Sequence, residues 1–203
     1  MSLEPLDDRE LAAVVTYLEM TERPAGLVPP PSPLRLDPRR PITPDAYRTL
    51  FRRVGAPWLW FSRLVMRDAD LAAILDDPAV ELFAVVSPDG DDVGMLELDF
   101  REAGACELAF LGLVPELAGQ GHGRWLLAEA VSRAWRPGVG RVHVHTCTLD
   151  HPAALSAYCR AGFTATRRAI ERFADPRSAG LIPPDTAPQI ALLGAPDTAA
   201  RWA

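Results

Sequence analysis

The chain has 203 residues, 48% of them hydrophobic and 24% charged, with a formal net charge of −6. This length suits one domain with a substantial core, and the acidic balance argues against a general nucleic-acid binder. No apolar run reaches the roughly 20 residues that cross a bilayer, no leader pattern opens the chain, and the three cysteines have no disulfide spacing, so we expect a cytoplasmic protein without nucleic-acid or membrane partners.

The first part of the chain predicts a strand, a linker and two helices. Residues 10–19 form an apolar run with a β-branched centre, which fits a strand or a short helix. Residues 27–41 carry too many prolines for a helix and are interpreted as an extended linker. Thr43 is the expected N-cap of a helix that ends at Gly55, and a second helix is predicted over residues 68–77.

The rest of the chain is predicted to contain strands and helices, followed by a tail of biased composition. Strands are predicted at 80–86, 92–100, 106–114, 141–147 and 163–173, and helices at 124–136 and 152–160. The strand at 92–100 alternates in polarity, so Glu97 and Asp99 are assigned to a polar, solvent-facing side with no role beyond solubility. Residues 176–203 are rich in proline and alanine, and we expect this tail to wrap the surface or to be partly disordered.

A glycine-rich loop joins the strand at 106–114 to the helix at 124–136. It reads Gly119-Gln-Gly121-His-Gly123-Arg124. Glycines at alternate positions let the backbone approach a ligand closely, and the N–H groups and dipole of the following helix favour a phosphate oxygen. The spacing fits neither a dinucleotide fingerprint nor a triphosphate loop. The loop therefore indicates a different ligand that carries a pyrophosphate.

Three segments in combination resemble the GNAT superfamily of acyl-CoA-dependent N-acetyltransferases. They are Leu111-Gly-Leu113-Val-Pro115, the glycine loop and Tyr158-x-x-x-Gly162-Phe163, within about residues 80–173. The resemblance implies an α/β (α+β) fold with a mixed, largely antiparallel sheet of six or seven strands, helices on both faces and a V-shaped split for acetyl-CoA. It also implies one GNAT-like domain at residues 1–175, followed by the tail at 176–203, and it favours a strand at 10–19.

The resemblance assigns the coenzyme contacts. Leu111 and Leu113 would lend backbone groups to the pantetheine arm, and the phosphates would be held by Gly119, Gln120, Gly121, His122, Gly123 and Arg124. Two residues depart from the family pattern: Ala118 replaces the usual Arg or Gln, and His151 stands where a coenzyme-contacting Asn is common. Backbone amides can still bind a pyrophosphate, so we expect acetyl-CoA as a co-substrate and no metal.

Acetyl transfer to an amine needs a base for the amine proton and an acid for the departing thiolate. Glu107 lies where some family members carry a general-base glutamate, and Glu116 is a weaker candidate. Tyr158 matches the tyrosine that the family uses to protonate the thiolate, and a phenol with a pKa of about 10 is protonated at neutral pH. Two plainer interpretations stay open, a solvent-facing Glu107 and a Tyr158 that only packs its helix on the sheet.

The acceptor pocket is assigned to two places. One is the stretch where the family covers the acceptor, which here holds Trp58, Trp60 and Arg63, although core packing explains these residues equally well. The other is the strand at 141–147, where His143, His145 and Cys147 share a face. This face fits a pocket wall in which His145 relays a proton, or, with His151, a zinc site.

The sequence therefore predicts an N-acetyltransferase that moves an acetyl group from acetyl-CoA to a primary amine by direct attack in a ternary complex. Because Ala118 and His151 depart from the family pattern, a non-catalytic acyl-CoA-binding or sensor module is a second interpretation. A zinc-binding protein is a third, because of the histidines on the strand at 141–147. The expected partner is a small-molecule or peptide amine acceptor. Pairing as a homodimer also stays open, because many relatives form dimers.

Overall fold

A seven-stranded sheet organises the residues that the computed structural model describes, 3–26 and 28–194. The strands are β1 (Glu10–Met20), β2 (Arg35–Pro38), β3 (Val80–Val86), β4 (Asp92–Asp99), β5 (Ala105–Leu113), β6 (Arg141–Cys147) and β7 (Thr164–Ala174). Their order in the sheet is β2-β3-β4-β5-β6-β1-β7, and all neighbours are antiparallel except β5 and β6. The predicted mixed, largely antiparallel sheet is confirmed.

Helices cover both faces of the sheet, as predicted. Within the described residues they are α1 (Pro44–Gly55), α2 (Asp68–Leu75), α3 (His122–Ala134) and α4 (Ala154–Arg160). One core cluster joins α1 and α2 to one side of the sheet, and a second joins α3 and α4 to the other side. We call these sides the α1 face and the α3 face. None of these helices has both the length and the apolar character needed to span a bilayer.

Helix α1 begins as the sequence predicts. The Thr43 side chain accepts a hydrogen bond from the Ala46 N–H at 3.3 Å, and Pro44 is the first helical residue, where its missing N–H costs nothing. Helix α3 begins two residues before its predicted start, because Gly121 already acts as its N-cap. The last three residues of the glycine loop, 122–124, therefore belong to the first turn of α3.

The N-terminal part of the chain adds two strands to the sheet. The strand predicted at 10–19 is confirmed as β1, and it lies between β6 and β7, antiparallel to both. The segment interpreted as an extended linker contains the short edge strand β2, which pairs with β3. An edge strand tolerates Pro38, because the N–H that proline lacks is not required for further pairing there.

The C-terminal segment packs against the α1 face as far as Ile190. Ile182 and Ala187 are buried in the same cluster as Phe51 of α1. The buried Arg177 is paired with Asp175 at 2.7 Å, and it donates to the carbonyl oxygens of Thr186, Ala187 and Ile190. The tail thus wraps the surface as expected over its first part, and residues 195–203 lie outside the described residues.

Candidate active site

Strands β5 and β6 separate after a short stretch of pairing. Ala105–Glu107 pair in parallel with Arg141–His143, and the described strands make no further pairs with each other, although β5 continues to Leu113 and β6 to Cys147. On its other side β5 bulges at Ala109, because Leu98 pairs with Leu108 and Glu97 with Phe110. The sheet therefore opens into the predicted V-shaped split. The β5 edge that carries Leu111 and Leu113 faces this split without a strand partner.

The glycine loop stands at the open end of β5 with its backbone donors unused. Gly119 and Gly121 have φ angles of 76° and 84°, a conformation that other residues adopt only with strain. Apart from adjacent residues, no described atom lies within 4 Å of the Cβ position of Gly119, Gly121 or Gly123. None of the hydrogen bonds among the described residues uses the amides of 119–123 as donors. Five consecutive N–H groups at a helix N-terminus are therefore free for an anion.

Side chains brace the loop from outside. Gln120 Nε2 donates to the Glu116 carbonyl oxygen at 2.9 Å, and His122 Nδ1 lies 3.2 Å from the Ser32 hydroxyl. Arg124 is exposed, and no described carboxylate lies within ion-pair distance of it. Gln120 and His122 thus hold the backbone in place, while the guanidinium of Arg124 is available to a phosphate.

Glu107 and His145 meet where the strands separate. Glu107 Oε1 lies 3.4 Å from His145 Nδ1, and the two side chains are 32% and 50% exposed. The interaction with His145 holds the pKa of Glu107 below its usual value, and Glu107 in turn raises the pKa of His145. With Nδ1 directed at the carboxylate, Nε2 of the neutral imidazole is left as a proton acceptor. A carboxylate that orients an imidazole is a common general-base arrangement.

A pocket of about 280 Å³ opens beside this pair on the α1 face. It is lined by Asp99, Arg101, Glu102, Glu107 and His143. Asp99 accepts three hydrogen bonds from Nε and Nη2 of Arg101, and Glu102 lies 2.5 Å from Arg141 and 3.5 Å from His143. The carboxylates are those of Asp99, Glu102 and Glu107, and the nearby guanidinium groups are those of Arg101 and Arg141. The wall is therefore anionic when the histidine is neutral, which favours a cationic ligand. The assignment of Asp99 to a solvent-facing side is wrong, because only 8% of the residue is exposed.

The assignment of Glu97 to a solvent-facing side is also wrong. Its carboxylate is fully buried on the α1 face, where it accepts hydrogen bonds from the Tyr47 hydroxyl and from Arg63 Nη2, each at 2.5 Å. Burial raises the pKa of Tyr47, and the charge of Glu97 raises it further. Burial alone would lower the pKa of Arg63, but Glu97 raises it overall. The alternation of polar and apolar residues in β4 predicts a polar side in contact with water. In the structure α1 covers that side, so Glu97 is buried.

The aromatic segment before α2 bridges the two sides of the split. Trp58 packs edge-on against His151 with ring centroids 5.3 Å apart, and Trp60 Nε1 donates to Asp150 at 3.2 Å. Trp60 also lies against Gly112 of β5, where a Cβ atom would come within 3.1 Å of its ring. The segment therefore contacts β5 on one side of the split and the residues after β6 on the other, and its role as an acceptor cover stays a prediction. For Trp60 and for Arg63, whose side chain is 13% exposed, core packing accounts for the contacts in the structure.

Tyr158 and His151 lie on the α4 side of the split. Tyr158 is buried and packs edge-on against Phe163, with ring centroids 5.8 Å apart. Burial raises the pKa of its hydroxyl, and the charge of Asp150 raises it further. No group among the described residues hydrogen-bonds to this hydroxyl. His151 Nδ1 accepts from the Ala153 N–H at 3.1 Å, which leaves its Nε2 free to donate.

The histidine strand has the predicted geometry. Val142, Val144 and Thr146 are buried on the α3 face, so His143, His145 and Cys147 share the α1 face. In residues 3–26 and 28–194, no three His, Cys, Asp or Glu side chains form a group that could hold a metal ion. The two histidines pair with Glu102 and Glu107 instead.

Solved structures similar to this chain share its fold. A GCN5-related N-acetyltransferase from Sphaerobacter thermophilus is 21% identical with a TM-score of 0.58, and the match covers 80% of this chain and 52% of that one. A GNAT-family protein from Novosphingobium aromaticivorans is 16% identical with a TM-score of 0.53, covering 82% and 68% of the two chains. An aminoglycoside acetyltransferase from an uncultured soil metagenomic sample is 17% identical with a TM-score of 0.51, covering 68% and 93%.

Two further comparisons concern sequence. The chain spans about half of the Sphaerobacter protein, and no curated protein matches it. The acetyltransferase (GNAT) family model matches residues 46–163, which is more than half of the chain and includes most of α1, the split, the glycine loop and α4. The chain therefore belongs to the GNAT acetyltransferase family.

Proposed function

We propose that this protein transfers an acetyl group from acetyl-CoA to a primary amine by direct attack. The observation that carries the proposal is the position of the Glu107–His145 pair at the vertex of the split. The open edge of β5 suits an extended ligand arm, and the free amides at the end of the same strand suit a pyrophosphate. Coenzyme A combines such an arm with such a group.

The residues along the split fit this coenzyme. The β5 edge at Leu111 and Leu113 would hold the pantetheine arm through backbone groups, and the amides of 119–123 would hold the pyrophosphate with help from Arg124. His151 can donate from Nε2, in place of the amide that the family often has at this position. When bound, acetyl-CoA supplies an acetyl group activated as a thioester.

The Glu107–His145 pair would prepare the acceptor. An alkylamine with a pKa of about 10 is mostly protonated at neutral pH and cannot attack in that form. Nε2 of His145 takes the proton, while the Glu107 carboxylate stabilises the imidazolium that results. The amine nitrogen then forms the bond to the acetyl carbon as the carbon–sulfur bond breaks. The nitrogen releases its second proton to solvent, and this balances the proton that the sulfur receives.

Tyr158 would protonate the departing sulfur. Its raised pKa keeps the hydroxyl protonated at neutral pH, and the hydroxyl has no described partner that would compete for its proton. Direct attack is favoured over an acetyl group carried by Cys106 or Cys147, because burial raises the pKa of these thiols to about 12 and about 11. Thiols of that kind are rarely ionised and are weak nucleophiles.

Calorimetric titration with acetyl-CoA tests the coenzyme site, with Gly123→Glu compared against Gly123→Gln. Gly123 lies in the first turn of α3 with open space around its Cβ position, so either side chain fits without strain. A carboxylate at a helix N-terminus favours the helix but repels a phosphate. We expect Gly123→Glu to weaken binding at least tenfold more than Gly123→Gln. Equal binding by the two variants would contradict the assigned phosphate site.

Turnover of amines tests the reaction itself. Release of free coenzyme A is measured over a panel of primary amines with the wild-type protein. Acetylation that requires Tyr158 supports the proposal. Tight binding of acetyl-CoA without acetylation of any amine would instead indicate the acyl-CoA-binding module that Ala118 and His151 kept open.

A further inference from the structure

A row of four side chains crosses the α1 face from the vertex of the split to the outermost strand. It runs from Glu107 on β5 through His145 on β6 and Tyr17 on β1 to Arg167 on β7. Tyr17 pairs with His145 on one side and with Arg167 on the other, which places all three on one face. The Tyr17 and His145 rings are 5.9 Å apart, and the Arg167 guanidinium lies 3.9 Å from the centre of the Tyr17 ring.

Arg167 differs from the other arginines that stack on aromatic rings. Within the described residues there are three others, and each also pairs with a carboxylate: Arg63 with Glu97, Arg133 with Glu129, and Arg136 with Glu81. No described carboxylate lies within ion-pair distance of Arg167. Stacking fixes the plane of its guanidinium and leaves the N–H donors at the edge free. Such a planar, oriented donor suits a carboxylate.

We infer that the amine acceptor carries a carboxylate at its far end and that Arg167 binds this group. The inference rests on the proposed function, because it takes Glu107 and His145 as the place where the amine reacts. Charge complementarity supports the orientation. The wall beside Glu107 holds the carboxylates of Asp99 and Glu102 and favours the ammonium end, whereas Arg167 favours the anionic end.

The spacing of the strands limits the length of the acceptor. β6 and β7 are separated by one strand, β1, so His145 and Arg167 stand about 10 Å apart at the backbone. An α-amino acid that must use its α-amine is too short to reach both groups. A linear ω-amino acid, or a short peptide with a free amine and carboxylate, has the required length.

The substrate pair 6-aminohexanoate and 6-aminohexanamide tests the inference. The two have the same length and the same amine, and only the first carries a charge at its far end. We expect kcat/KM to favour the acid about tenfold in the wild type, the effect of one charge-assisted contact at an exposed site. In Arg167→Gln the kcat/KM for the acid should fall to the value for the amide.

Arg168→Gln is the matched control. It removes the same charge one residue away, and side chains alternate along a strand, so Arg168 lies on the opposite side of β7. Arg168→Gln should keep the preference for the acid. Equal kcat/KM for acid and amide in the wild type, or loss of the preference in both variants, would overturn the inference.

Equilibrium binding separates this inference from the proposed function. The acid and the amide are titrated into the coenzyme A-loaded wild type and into loaded Arg167→Gln. Tighter binding of the acid that disappears in Arg167→Gln supports the inference even if no amine is acetylated. Equal affinity for the acid and the amide overturns it whatever the turnover experiments show.

Discussion

The two sides of the split are built in different ways. The side that we propose for the coenzyme, here called the coenzyme side, comes from one continuous stretch, in which β5, the glycine loop and the first turn of α3 follow each other along the chain. The side that we propose for the acceptor, here called the acceptor side, is assembled from distant segments. Arg63 reaches Glu97 across 34 positions, Tyr47 reaches Glu97 across 50, and Trp60 reaches Asp150 across 90.

The two sides also rely on different chemical groups. The coenzyme side presents backbone amides, which every residue except proline supplies, so an alanine at position 118 does not remove the proposed anion site. The acceptor side presents side chains whose charges are paired in the core. Substitutions should therefore act mainly on ligand binding on the first side, and on stability as well as chemistry on the second.

The largest expected effect is on stability and concerns Glu97. Glu97→Leu should lower the free energy of unfolding by about 3–5 kcal/mol, because it leaves the buried Arg63 guanidinium without its carboxylate. The double variant Glu97→Leu with Arg63→Met should recover most of this loss. Urea denaturation measures both values.

Glu81→Leu is the control for this prediction. Glu81 pairs with Arg136 at the surface, where the side chains are 36% and 41% exposed, so its loss should cost less than about 1 kcal/mol. If Glu97→Leu costs no more than Glu81→Leu, the buried pair does not hold the acceptor side together.

The next effect is on catalysis and concerns Tyr158. Tyr158→Phe should lower kcat about 100-fold, within the usual contribution of a general acid, because the thiolate loses its proton donor. The affinity for acetyl-CoA and the stability should change little, since the hydroxyl has no described hydrogen-bond partner. Steady-state kinetics and calorimetry measure these quantities. If Tyr158→Phe keeps the wild-type kcat, Tyr158 is not the proton donor and its role is packing alone.

A smaller effect is expected in the pH dependence of kcat/KM. The base must be unprotonated, so activity should rise with pH through the raised pKa of His145, above its ordinary value of about 6.5. Glu107→Gln removes the main cause of the raised pKa, so the rise should move to lower pH, and the plateau should fall about tenfold with loss of the orienting carboxylate. Asp150 and Glu171 also raise this pKa and remain in the variant.

His145→Gln identifies the group that titrates. In this variant the rise attributed to the imidazole should disappear from the pH profile of kcat/KM. A profile that keeps the same rise would show that another group accepts the proton. Glu107 acting directly on the amine would then be the better interpretation.

The smallest effect is the contribution of this pair to stability. The folded pKa of Glu107 is lowered, so its contribution is present above the unfolded pKa of about 4.3 and is lost as pH falls through the folded value. The folded pKa of His145 is raised, so its contribution is present below about 6.5 and is lost as pH rises through the folded value.

The stabilisation should therefore be greatest between about pH 4.3 and 6.5. Because the two side chains are 32% and 50% exposed, it should stay below about 1 kcal/mol. Unfolding of the wild type and of Glu107→Gln at pH 5.5 and pH 9 measures it. A difference that grows at pH 9 would contradict the sign.

Much of the fold follows from local sequence signals. Thr43 and Pro44 set the start of α1, and the alternation in residues 141–147 places His145 on one face because strand side chains repeat every two residues. The glycine loop predicts positive φ angles and a helix start that follows directly, because its conformation depends on neighbouring residues alone. Such features can be predicted because they involve interactions between residues close in the chain.

The wrong assignment of Glu97 shows that the local sequence pattern does not predict burial by a distant helix. The strand pattern around Glu97 is that of a sheet with one wet face, and only the packing of α1 over β4 buries the carboxylate. A buried arginine at position 63 needs a carboxylate partner, yet several acidic residues could serve and the chain alone does not choose among them. The choice depends on which face of the sheet α1 covers.

The sequence by itself determined the family resemblance, the alternation of strands and helices, and the glycine loop at the start of α3, because these depend on residues close together in the chain. Only the tertiary structure decided that β1 lies between β6 and β7, that β5 and β6 part after Glu107, and that Glu107 meets His145. These outcomes depend on strand order and register, which bring together residues far apart in the chain. The acceptor side consists of contacts between such distant residues, so only the folded structure identifies it.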